Sequence, residues 1–391
     1  MLGWMLLRAA VQSATALCLA RILGATQYGQ FIAAIAIAGF IAPLAGLGLQ
    51  GVLLSEGARD AQAVPTLLGG VLDLNKLSLP AAWLMAVALA RWMLPGGINV
   101  IVIVLVLGAE IAASSLIELL GRTEQALHRS SRFGAMQAGL SLVRFGTLVP
   151  WAVFSRPTAA SWMVAYSMSS AAYVIVMLLL AIRRHAPRNP GTTPWKLAAK
   201  GLPFASGAAA MRIQSELNKP LLAHVGWSLA ADLSLSQRIV DLANLPLVAM
   251  QEALWSRVYA SSRPQARLRH VGLPMVAAAL TSAAVLALAA PLLPLILGPG
   301  YAESAHALRL LAAVPAIQLL RNLGNASLVA SGHASALTRV YLFSGAISIV
   351  TTAVLIKLFG LDGAIAAAYA NELVTLVAQR LFAPKARKHP A

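Results

Sequence analysis

One pattern runs through the chain from end to end. Stretches of about twenty or more mostly apolar residues alternate with short segments carrying arginine, glycine or proline. A bilayer core of ~30 Å is crossed by a helix of about 20 apolar residues. Twelve spans are therefore expected, at 2–20, 30–54, 64–90, 98–120, 133–154, 160–182, 201–224, 229–256, 271–297, 305–330, 336–357 and 361–382. Apolar residues make up 59% of the chain and charged residues 11%; a soluble domain has about 25% charged residues. That charge content excludes an ordinary cytosolic enzyme, and the apolar excess excludes disorder. The net charge of +17 would suit a nucleic-acid binder only if it were concentrated in a polar domain, and no segment is polar enough to form one. The fold class read from this is all-α and polytopic. Cys18 is the single cysteine, so neither a disulfide framework nor a cysteine metal cluster is available.

The basic residues orient the spans, because loops on the cytoplasmic side carry excess Lys and Arg. With both termini cytoplasmic, that side holds Arg59, Arg122, Arg129, Arg132, Arg183, Arg184, Arg188, Lys196, Lys200, Arg257, Arg263, Arg267, Arg269, Arg339, Arg380, Lys385, Arg387 and Lys388. The opposite side holds only Arg21, Arg91, Arg156 and Lys357. Losing one span would invert every later loop and destroy this bias. Trp92, Trp151, Trp162, Trp195 and Trp227 fall near span ends, as an aromatic belt requires.

The basic, Pro- and Gly-containing segment 183–200 divides the spans six and six, giving lobes at 1–182 and 201–391, the second with a short basic tail. The halves echo each other. Leu19-Ala20-Arg21-Ile22-Leu23-Gly24 aligns with Leu221-Leu222-Ala223-His224-Val225-Gly226, and Leu119-Leu120-Gly121 aligns with Asn322-Leu323-Gly324 at nearly the same offset. A duplicated six-span unit keeps its orientation, so the lobes would be related by an axis along the membrane normal. Two six-helix lobes around a central cavity are expected.

Eight bases lie inside the expected spans: Arg8, Lys76, Arg144, Arg212, Lys219, Arg238, Arg309 and Arg321. A charge at a lipid-facing helix centre costs about 2.5–3.5 kcal/mol on insertion scales, so these side chains must face protein, water or an anion. Some have carboxylates at helical spacing: Asp73 with Lys76, Glu216 with Arg212 and Lys219, Asp241 with Arg238. Such spacing is that of local ion pairs, the plainer reading for Arg238 and Asp241. Arg309, near a helix start, can snorkel. Arg8, Arg144 and Arg321 have no acid three or four positions away. Two readings stay open for them: cross-helix pairing with Glu110, Glu216, Glu252 or Glu372, or convergence on a cavity. The planar guanidinium fork suits bidentate phosphate binding. Gln12, one turn from Arg8, and Asn322 and Asn325, around Arg321, add polar groups for a cavity.

Helix breakers cluster in particular spans: Gly39, Pro43, Gly46, Gly48 and Gly51 in the second, Pro203, Gly207 and Pro220 in the seventh, Pro246 in the eighth. They serve either as hinges or as close-packing points. A Walker A loop, metal-ligand spacing and a Ser/His/Asp arrangement are all missing from the sequence. No external loop is large enough for a polymerase or ligase site. The expectation is a protein that is not an enzyme and needs no cofactor or metal.

The order of several short motifs resembles one known family. Arg21-Ile22-Leu23-Gly24-Ala25-Thr26-Gln27-Tyr28-Gly29-Gln30-Phe31 is similar to its "ARLLGPxxYGxF" signature, followed by Leu44-Ala45-Gly46-Leu47-Gly48-Leu49 and Glu56-Gly57-Ala58-Arg59. Gly201-Leu202-Pro203-Phe204 resembles the opening of its seventh span. Leu308-Arg309-Leu310-Leu311, Leu328-Val329-Ala330-Ser331-Gly332-His333 and Phe359-Gly360-Leu361-Asp362-Gly363-Ala364 resemble its later "LRIL", "LxAxGR" and "FGxxGAA" stretches. This is the Wzx-type polysaccharide flippase family of the multidrug/oligosaccharidyl-lipid/polysaccharide superfamily. One departure is Asn218-Lys219, where the family often carries an Asp-Arg-like pair.

The resemblance implies movement of undecaprenyl-pyrophosphate-linked oligosaccharide, a surface-polysaccharide repeat unit, from the cytoplasmic to the periplasmic leaflet of a bacterial inner membrane by alternating access. On that reading Arg8, Lys76, Arg144, Arg212, Lys219 and Arg321 neutralise pyrophosphate, while Gln12, Asn322 and Asn325 bond sugar hydroxyls. Asp73 and Glu216 are candidates for ion coupling. The partners implied are the lipid-linked oligosaccharide, the bilayer and other polysaccharide-assembly membrane proteins; no nucleic acid is expected. The alternatives are a cation-coupled drug or metabolite antiporter of the same superfamily and a membrane glycan polymerase or ligase.

Overall fold

In the computed structural model the described residues are 2–188, 194–259, 264–330 and 334–382. They are all-helical, with no strand among them. The helices are α1 (Leu2–Ala45), α2 (Leu49–Gly57), α3 (Val64–Met93), α4 (Val100–Ala126), α5 (Ser130–Phe154), α6 (Ala159–His185), α7 (Pro194–Glu216), α8 (Asn218–Ala223), α9 (Trp227–Tyr259), α10 (Pro264–Ala289), α11 (Leu292–Leu297), α12 (Ala302–Leu311), α13 (Val314–Ala330) and α14 (Ala334–Phe382). Six segments carry a stretch long and apolar enough to cross a membrane.

Two of these helices are folded double. In α1 the reversal is Gly24, at φ 74°, and in α14 it is Gly360, at φ 58°. Both need the left-handed region that glycine enters without a Cβ penalty. Trp4 bonds Ser131 at the start of α5 and Gln27 accepts from Ala159 at the start of α6, so the first limb crosses the bundle; Gly57, soon after the second limb, lies against Ala126 at the end of α4, back at the end that bears Trp4. In α14, Phe343 stacks on Phe382 at 5.7 Å between ring centroids, as the two limbs of a hairpin would. With α1 and α14 each supplying two rods and α2, α8, α11 and α12 extending their neighbours, the described residues make twelve rods, the number expected from the hydropathy pattern.

Breaks within rods fall where the sequence places breakers. Leu47 and Gly48 sit at positive φ between α1 and α2. α7 stops at Glu216 because Pro220 lacks the N–H that would bond the Glu216 carbonyl. Polar residues start other helices: Asn99 accepts from Ile101, and Thr158 and Ser161 form a reciprocal capping box.

The largest core joins both halves of the chain at the end of the bundle where Gly24 lies. Small residues, among them Ala20, Ala33, Ala34, Ala230 and Ala231, are fully enclosed there, which lets α1 and α9 approach closely. A Cβ on Gly29 would lie 1.8 Å from the Trp227 carbonyl oxygen. Tyr301 donates to the Ala20 carbonyl at 2.7 Å, and Arg21 reaches the Ile296 carbonyl. Gly226, which the expected repeat aligns with Gly24, lies in the turn between α8 and α9 but lacks the positive φ of Gly24. At the opposite end, which bears Leu2, the halves meet through α2 and α7: Gly48 lies against Gly201 and Ala205, and Lys200 pairs with Glu56 at 2.8 Å. Among the described residues α5 and α6 make no extensive contact with α9–α13. The halves are thus sealed at the Gly24 end and parted along one side toward the other.

Candidate functional site

Four arginines from four rods share one electrostatic neighbourhood. Arg8 on α1 feels Arg144 on α5, Arg212 on α7 and Arg238 on α9, with Glu118 on α4 as the one acid. Arg238 lies about 16 Å along α9 from Trp227, at 1.5 Å per residue. It extends across the halves to the Gln12 side chain at 3.4 Å, and Gln12 in turn donates to Ser141. Arg212, Arg238 and Asp241 are nevertheless exposed. Arg238 therefore does not close a local pair with Asp241, as spacing alone suggested; it spans the two halves.

Acids are present in this region but are mostly engaged. Glu216 pairs with Lys219 at 2.5 Å, both largely buried, and the Glu216 side chain packs against Gly39 on α1. Asp241 stands near Arg238, Lys219 and Glu216. Glu118 binds Arg122 at 2.7 Å and accepts from Gln137. Gln214 on α7, Asn218 on α8 and Asn244 on α9 each hold a buried polar atom without a partner.

Arg144 is less free than its sequence neighbours imply. It bonds Glu110 at 2.6 Å and Ser170 at 3.0 Å, and its guanidinium lies 4.2 Å from the Tyr166 ring centroid. Tyr166 donates to the same Glu110 carboxylate at 2.5 Å. The cross-helix reading holds for this residue, although it also contributes to the field at Arg8.

Arg321 forms a second, separate group. It pairs with Glu372 at 2.9 Å, while Arg321 Nε and Glu372 Oε2 are buried and unpartnered. Asn322 donates to Gln251 at 3.0 Å; Asn325 donates to Tyr341 and accepts from Gln379. These contacts tie α13 to α9 and α14, and Arg321 is not among the charges acting on Arg8. Lys76 lies apart as well. Its side chain is 78% exposed and bonded to Asp73 at 2.7 Å on the same helix.

The structure thus brings together Arg8, Gln12, Arg144, Arg212 and Lys219 with Glu216, and leaves Lys76, Asp73, Arg321, Asn322 and Asn325 elsewhere. It adds Arg238, Asp241, Glu110 and Glu118. Helical spacing marked Arg238 and Asp241 as a pair; nothing in local sequence joins Glu110 to Arg144 thirty-four residues away. The side chain of Glu252, a candidate partner, lies outside the described residues. Among the described residues no cluster of His, Cys, Asp or Glu could hold a metal.

Comparison with solved structures fits this architecture. An inward-facing MATE-family multidrug transporter of the MOP superfamily aligns over 96% of this chain and 93% of its own, with TM-score 0.72 and 14% identity. The lipid II flippase MurJ, in an inward closed conformation, aligns over 97% and 85%, with TM-score 0.72 and 13% identity. The fold is that of the MATE and MurJ transporters. An outward-facing MATE-family structure gives a lower TM-score of 0.62, at 16% identity over 98% and 93% of the two chains. No family model matches the chain, and no curated protein matches it. The fold, with its six long apolar segments, is that of a multi-pass membrane protein.

Proposed function

We propose that this protein flips undecaprenyl-pyrophosphate-linked oligosaccharide from the cytoplasmic to the periplasmic leaflet of the bacterial inner membrane. The observation that carries the reading is the gathering of Arg8, Arg212 and Arg238, from three helices, within one electrostatic neighbourhood, to which the Glu110-paired Arg144 adds its field. Their excess positive charge matches a pyrophosphate, and the guanidinium fork can grip its oxygens. Gln12, which Arg238 reaches, supplies a hydrogen-bonding group for sugar hydroxyls. Residues 1–182 and 201–391 act as two lobes joined by 183–200, part of which lies outside the described residues. With both termini cytoplasmic, the present form is open to the cytoplasmic leaflet, and parting of α1 from α9 would open the other side. Arg321, Asn322 and Asn325 then serve the packing of the second lobe rather than the headgroup, and Lys76 with Asp73 is dispensable. Glu216, held by Lys219 beside Gly39, remains the carboxylate placed to couple an ion.

A drug antiporter shares this fold, and Glu216 and Asp241 are the acids it would use. The excess of arginine in the same space disfavours an organic cation. The test is reconstitution in vesicles with a labelled polyprenyl-pyrophosphate glycan, scoring its transfer between leaflets. Wild-type protein should move it, and R8Q/R238Q should be at least tenfold slower while remaining inserted. Transport of cationic dyes with no glycolipid transfer would overturn the proposal in favour of the antiporter.

A further inference from the structure

Away from the interior arginines, the ends of α4, α5 and α6 enclose a second concentration of positive charge. Its centre is Glu124 in the last turn of α4, whose side chain is 3% exposed. One carboxylate oxygen faces His185 Nε2 at 3.0 Å and Arg184 at 3.5 Å; the other faces Arg132 at 3.3 Å and Arg129 at 3.9 Å. Three arginines therefore share one negative charge. The neighbouring acid, Glu118, is already committed to Arg122. Arg129, Arg132 and Arg184 remain 41–47% exposed. The buried carboxylate fixes the inner side of each guanidinium, and outward-facing donors are left over.

The surroundings identify the anion. The cluster lies at the bundle end that bears Trp4, which bonds Ser131 at the start of α5. Directly along α6 from Arg184, at helical spacing, come Leu180 and Val176, with Ile175 and Leu179 on the adjoining strip; all four are more than half exposed. An apolar strip ending in an arginine cluster at the membrane boundary matches an acyl chain beneath its phosphate. Basic pockets at helix ends bind anionic headgroups in this way.

We infer that Arg129, Arg132 and Arg184, gathered around the buried Glu124, form a binding site for the phosphate of an anionic phospholipid. The lipid belongs to the leaflet around this end of the bundle, and its chain runs along α6. The site is independent of the transported substrate, so its test uses none. The full-length protein is placed in phosphatidylcholine nanodiscs, and binding of fluorescent phosphatidylglycerol is titrated. Each arginine neutralised should weaken binding roughly fivefold, and R129Q/R184Q roughly 25-fold. R156Q, at the opposite end, should change it less than twofold. E124Q, which removes the single counter-charge, should tighten binding. R132Q alone gives the single-step loss should the double variant fail to fold. Unchanged phosphatidylglycerol affinity in R129Q/R184Q or R132Q would overturn the site. So would competition by inorganic phosphate at concentrations equal to the lipid, which would identify a free-anion site.

Discussion

The contact between Gly29 and Trp227 allows a sharp test of the seal between the halves. A Cβ at position 29 would lie 1.8 Å from the Trp227 carbonyl oxygen and 2.6 Å from its carbon. These are backbone atoms at the start of α9, so no side-chain rotation relieves the clash. Restoring an ordinary contact of 3.4 Å requires α1 and α9 to separate by about 1.6 Å. Overpacking of a tight interface costs about 1–3 kcal/mol, which corresponds to a shift of roughly fivefold to 150-fold away from the sealed form, with RT ≈ 0.59 kcal/mol. Spin labels introduced by R21C and I296C, in a C18S background, report this directly, since Arg21 and Ile296 touch across the seal. In the parent a short-distance population should dominate; G29A should transfer most of it to longer distances. G146A, at a helical glycine with open space around it, serves as the control and should leave the distribution unchanged. An unaltered distribution in G29A would refute the argument that this glycine permits closure.

Further outcomes follow from the ion pairs. R144M should lower stability by about 3–5 kcal/mol, because it strands the buried Glu110; E110Q/R144M should recover most of that loss, as read by thermal unfolding in detergent. R144K should rescue only partly, since a lysine cannot reproduce the guanidinium contact with both Glu110 and the Tyr166 ring. D73N/K76M should leave glycolipid transfer within twofold of wild type, because that pair is exposed and self-contained.

Much of the architecture was legible because lipid imposes a one-dimensional rule. Many rods announce themselves as apolar stretches, six segments being long and apolar enough to cross a membrane, and Gly24 and Gly360 mark reversals even where the helix runs on almost without interruption. The motif Tyr28-Gly29 was visible as a resemblance, but its physical content was not. Tyr28 is buried and Gly29 lies under the Trp227 carbonyl, a contact across about two hundred residues. The intramembrane arginines were equally visible as a group. Local spacing misjudged Arg238, which looked paired with Asp241 yet extends to Gln12. It also could not sort Arg144 and Arg321, whose partners Glu110 and Glu372 stand on other helices.

The sequence by itself determined that this is an all-helical membrane protein with twelve rods and costly charges inside them, because hydrocarbon thickness and charge transfer act on each segment separately. Only the tertiary structure decided which charges meet. Helical periodicity relates residues within one rod, whereas an interior site is assembled from rods whose facing is set by packing. That packing separates Lys76 and Arg321 from the group formed by Arg8, Arg144, Arg212 and Arg238, and it places Gly29 where closure of the whole molecule depends on a missing Cβ.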